Sequence, residues 1–105
     1  MSASDDAVMG QQAHIQDRID QRPLNDRFTF EDLFDDEQWR NLTRHDGREL
    51  ALARSVTNAF KRRILGFPGA REPVFSNVRW TGDINVNGRT VNFQRIEGDH
   101  QEANR

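Results

Sequence analysis

With 105 residues, 34% of them hydrophobic and 30% charged, the chain supplies about one ordinary domain and a small core that does not need the whole chain. It has no cysteine, which excludes a disulfide framework and a thiolate metal site, and it lacks the run of about 18 apolar residues that a transmembrane helix needs. The net charge of −2, the mean hydropathy of −0.92 and an acidic rather than basic start point to a small cytoplasmic protein without a secretory signal.

In residues 1–27, Val8, Ile15 and Ile19 lie at spacings of seven and four, one thin helical stripe over about residues 7–21 that Pro23 stops. A stripe that narrow does not fold alone, so the segment reads as a flexible or weakly helical acidic arm, disordered by default or docked on something. The compact part is expected over residues 28–96. Thr29 can cap a short helix with Asp32 in its first turn, and Phe30, Leu33 and Phe34 share its apolar face. Asp35 or Asp36 caps a second helix, about 36–43, with Trp39 and Leu42 inward. Asp46 and Gly47 break the run and open a third helix, about 47–65, ended by Gly66. On it Leu52, Val56, Ala59, Phe60 and Ile64 take one side, and Arg54, Asn58, Lys61 and Arg62 the other.

After Pro73 the period changes to two. Val74, Ser76, Val78 and Trp80 alternate with Phe75, Asn77 and Arg79, and Gly82-Asp83 permits a turn or bulge. Asn87-Gly88 is a strong hairpin signal, because a type I′ turn needs positive φ at both positions. A two-residue loop pairs Val86 with Arg89 and Ile84 with Val91, and puts Ile84, Val86, Val91 and Phe93 on the face the third helix would cover. Residues 97–105 read as a disordered tail. The expected fold is α+β: three helices followed by a C-terminal β-hairpin or three-stranded antiparallel meander, winged-helix-like.

Several stretches, namely Phe28 to Phe34, Trp39 with Leu42, Gly47 to Arg54, Phe60 to Arg63, Phe67 to Gly69 and Asn92 to Arg95, together resemble a family of small bacterial and mobile-element proteins to which no activity is attached. Ala53 and Phe93 depart from that pattern, where Gly and Tyr are expected. The resemblance covers about two-thirds of the chain. It implies one compact domain over residues 28–96 and brings no site residues.

Charge is segregated along the chain. Residues 1–37 carry ten acids and three arginines, net −7; residues 38–96 carry eleven basic residues and four acids, net +7; residues 97–105 are net −2. Either a cationic surface awaits an anionic partner, or the acidic flanks neutralise the middle within the molecule. Lys61 is the sole lysine among fifteen basic residues. An arginine bias suits phosphate recognition, and codon bias gives the same pattern.

The catalytic inventory is thin. His14 and His100 fall in the expected tails. His45 beside Asp46 has no serine nucleophile near it in sequence, and Asp46 is explained as a cap. The acids Asp35, Asp36 and Glu37 read as a cap with dipole stabilisation rather than a cation site. No enzyme, metal or cofactor is expected. The first functional expectation is a small nucleic-acid-binding regulator using Arg54, Asn58, Lys61, Arg62 and Arg89, side chains that reach phosphates and base edges. The bland account of those residues is a solvated helix face. The alternative is a protein-binding module or inhibitor of phage or mobile-element type, contacting a basic partner through Trp80, Asp35 and Asp36. One contiguous basic stripe with an exposed wing favours the first, a neutralised basic face the second.

Overall fold

The computed structural model describes residues 3–43 and 49–98. The expected Asp46-Gly47 break, His45 and His100 lie outside the described residues, as do most of the C-terminal tail and the side chain of Leu52. Among the described residues there are four α-helices and one antiparallel sheet. The chain runs α1 (Ala3–Gly10), α2 (Gln12–Gln21), β1 (Arg27–Phe28), a 3₁₀ turn (Phe30–Leu33), α3 (Asp36–Thr43), α4 (Glu49–Lys61), β2 (Val78–Val86) and β3 (Arg89–Arg95). The expected α+β class holds. The count of three helices does not, because the N-terminal segment forms two more and the first short helix is a 3₁₀ turn.

The N-terminal segment is where sequence and structure part most. Val8, Ile15 and Ile19 are fully buried and belong to the same core as Phe28, Phe60 and Phe93. The segment expected as a flexible arm therefore docks on its own chain. The dock is polar as well as apolar. The Gln16 side chain accepts from the Ser76 N–H and donates to the Ser76 carbonyl, both at 3.0 Å. Arg95 Nε donates to the Ile19 carbonyl at 3.1 Å. Asn77 Nδ2 donates to Asp20 at 2.9 Å.

The 3₁₀ turn and α3 follow their capping residues. The Asp32 carboxylate accepts the Thr29 N–H at 2.9 Å. At α3, Asp35 Oδ1 accepts the Gln38 N–H at 2.7 Å while Gln38 Oε1 accepts the Asp35 N–H at 2.9 Å, a reciprocal capping box that fixes the start at Asp36. α4 ends four residues before the expected Leu65. There the Arg63 carbonyl turns to accept the N–H groups of Val74 and Phe75, and Ile64 bridges Phe75.

The sheet order is β1-β3-β2. The hairpin register is the expected one, Val86 opposite Arg89 and Ile84 opposite Val91. Asn87 and Gly88 have φ of 54° and 79°, as a type I′ turn requires. The third strand is not part of a C-terminal meander. It is Arg27–Phe28, from before α3, paired with Gln94 and Phe93. Residues 74–77 are not strand: Asn77 takes φ 65°, which interrupts the alternation and leaves both Phe75 and Val78 buried. Gly82 lies in an irregularity between Trp80 and Ile84, within one continuous strand. The core centres on Phe60, whose ring stacks on Phe30 at 4.5 Å and meets Phe93 at 4.9 Å and Phe75 at 5.2 Å.

Candidate binding cleft

The outward face of α4 borders an open cleft of about 670 Å³. Its apolar lining comes from Phe30, Trp39 of α3 and Phe93 of β3. Helical spacing of four and three puts Arg54, Asn58 and Lys61 along one side of α4, and all three line the cleft. β2 contributes Trp80, Gly82 and Asp83, and the 3₁₀ turn contributes Glu31. Trp80 sits there because it is the cross-strand partner of Phe93, just before the irregularity at Gly82, whose φ is 74°.

Lys61 is committed to aromatic rings. Its Nζ lies 4.7 Å from the Trp80 ring centroid and 5.9 Å from that of Phe67. Phe67 in turn meets Trp80 edge-on at 5.6 Å. A cation over indole contributes about 0.5–2 kcal/mol, depending on desolvation. Trp80 still keeps 39% of its surface exposed. Arg54 is exposed and has no ion pair among the described residues.

The other two cations expected to read nucleic acid are neutralised inside the molecule. Arg62 Nη2 lies 3.6 Å from Asp5 of α1. Arg89, on the same sheet face as Val91 and Phe93, pairs with Asp32. Both acids come from the acidic first third of the chain, so at these positions the second reading of the charge segregation describes the molecule. The five residues therefore divide: Arg54, Asn58 and Lys61 meet at one cleft, and Arg62 and Arg89 are tied elsewhere. Of the alternative set, Trp80 lines the cleft. Asp35 and Asp36 are exposed at the start of α3 and do not.

Arg63 was not singled out from sequence. It is only 4% exposed and is held by Asp5 at 3.5 Å and Glu72 at 3.1 Å. The available signal was the expected helix of about 47–65, on which Arg63, three residues after Phe60 and seven after Val56, falls on the apolar side, although α4 ends at Lys61. His14 is packed against Phe34, ring centroids 5.2 Å apart, with its Nε2 3.0 Å from the Leu33 carbonyl oxygen. A second opening, about 550 Å³, lies between α1 and α3 near Asp6 and Phe34. Among the described residues no group of three or more His, Cys, Asp or Glu side chains could hold a metal ion, and no helix is long and apolar enough to cross a membrane. No protein-family model, curated protein or solved structure matches the chain.

Proposed function

We propose that this chain is a non-enzymatic binding module that takes a segment of a partner protein into the cleft between α4 and the β2–β3 hairpin. The observation that carries the reading is the make-up of that cleft. A half-exposed tryptophan and an arginine with no ion pair among the described residues stand over an apolar lining, and these are the residue types that anchor protein interfaces. The cations Arg54 and Lys61 share the cleft with the acids Glu31 and Asp83, so it offers a polyanion little net attraction.

The row of Arg54, Asn58 and Lys61 favours a second reading, a winged-helix-like nucleic-acid binder in which α4 meets the groove and the hairpin serves as a wing. With Arg62 and Arg89 withdrawn, two cations remain for phosphates. The log–log salt slope on duplex DNA would then be about −1.8 per chain.

The deciding experiment selects twelve-residue peptides from a random displayed library against the full chain, then tests them against Trp80→Ala. Peptides that lose binding on that change support the module. Their absence, together with duplex binding whose salt slope flattens in a Lys61→Ala, Arg54→Ala double variant, would put the nucleic-acid reading first.

A further inference from the structure

The chemistry of the cleft narrows what fills it. Trp80, Ile84 and Val86 share one face of the sheet, because their partners across the hairpin, Phe93, Val91 and Arg89, lie two residues apart along β3. Trp80 and Val86 are 39% and 38% exposed, and Ile84 is partly so. β2 therefore presents an apolar row that runs out of the cleft toward the hairpin tip. Beside its inner end stand the two cations of α4.

Any occupant that covers Arg54 removes water from a guanidinium that has no ion-pair partner among the described residues. Burying a charge without compensation is strongly unfavourable, and neither Glu31 nor Asp83 of the cleft forms an ion pair with Arg54, so the occupant supplies the counter-charge that those acids do not. A carboxylate fits best, since it accepts two parallel N–H bonds from a guanidinium. Lys61 imposes the same demand. To open the face of Trp80 its ammonium must leave the ring, and a carboxylate is a stronger partner for it than indole.

Resting on the protein-binding reading, we propose that the partner segment carries a large apolar side chain beside an aspartate or glutamate. The apolar group packs on Trp80 and along Ile84, and the carboxylate bridges Lys61 and Arg54. Glu31 and Asp83 line the same cleft and oppose this charge. The Asn92 amide holds Asp83 but leaves its charge in place, so both acids reduce affinity.

The test uses three synthetic ten-residue peptides with the full chain: aspartate alternating with phenylalanine and leucine, the same with lysine for aspartate, and the same with alanine for the apolar residues. Binding is read with the natural chain by the fluorescence anisotropy of an end-labelled peptide, which leaves the cleft-lining Trp39 in place. The acidic amphipathic peptide should bind at least about tenfold more tightly than the other two, and Arg54→Ala should remove about tenfold of that affinity. Arg54→Glu should shift the preference toward the lysine peptide, and Glu31→Gln should strengthen acidic binding. Equal or tighter binding of the lysine peptide, or indifference to Arg54, overturns the proposal. If library-selected peptides depend on Trp80 but carry no acid, the carboxylate chemistry falls and the module stands; if none depends on Trp80, both fall.

Discussion

Replacing Phe60 by alanine tests the packing on which the cleft is built. The ring is fully buried and touches three other rings, one each from the 3₁₀ turn, the approach to β2, and β3. Removing it should cost about 3–5 kcal/mol, the range for a buried aromatic cut to alanine. Each aromatic pair contributes about 0.5–1.5 kcal/mol beyond area burial, so three lost pairs place the expected value toward the upper end. A domain of this size has about 5–15 kcal/mol in total, so the variant should still fold at 25 °C but with little reserve. At a urea m-value of about 2 kcal/mol/M the midpoint should fall by about 1.5–2.5 M. The melting temperature should fall by at least about 12 °C, taking roughly 4 °C per kcal/mol. Tryptophan emission is a suitable probe, because Trp39 packs against Phe30, the ring on which Phe60 stacks. Arg62→Ala is the control, a half-exposed ion pair worth less than about 1 kcal/mol. A Phe60→Ala loss no larger than that of Arg62→Ala would refute the assigned helix phase and the core built on it.

Asp5→Ala should destabilise by about 1–3 kcal/mol, less than a wholly orphaned buried charge would, because Glu72 still pairs with Arg63; a urea melt measures it. A chain beginning at residue 28 should lose cooperative unfolding in a calorimetric scan, since it lacks Val8, Ile15 and Ile19, which are buried in the intact chain. In the full chain, amide exchange should protect Ile15 and Ile19 as well as Val56 and Phe60. Gly88→Ala should cost about 1–2 kcal/mol in the same melt, because an alanine at φ 79° is strained even with open space around it.

What was legible in the sequence was local. The Thr29 cap with Asp32 in its first turn, a cap at Asp35 or Asp36, the α3 boundaries and the register around Asn87-Gly88 are each set by residues within a few positions of one another, and each was readable. The helical stripe of the N-terminal segment was readable as well, but its docking was not. Three apolar residues on a polar segment give no sign that Ser76 and Arg95 will meet them, and only tertiary contact turns such a stripe into part of a core. The site was half legible for the same reason. Helical phase alone placed Arg54, Asn58 and Lys61 together. The pairing of Arg62 with Asp5 and of Arg89 with Asp32 joins residues 57 positions apart, beyond any periodicity. The cleft depends on a 3₁₀ turn, two helices and two strands converging, and only its Trp80 and α4 components stood out beforehand.

The docking of α2 on the far end of the chain bears on how the molecule comes to be made. Gln16 is bound to a residue 60 positions later and Ile19 to one 76 positions later. During synthesis at about 5–20 residues per second, α2 emerges seconds before Ser76 and Arg95, the residues that hold Gln16 and Ile19. The helix waits in the open as a marginal one with Ile15 and Ile19 exposed, and collapse cannot be completed until β3 has been released. Long-range closure of this kind slows folding relative to a helical bundle of the same length. A nascent chain arrested before Arg95 would therefore be sensitive to protease in its first twenty residues, and those same residues would become resistant once the final strand clears the exit tunnel.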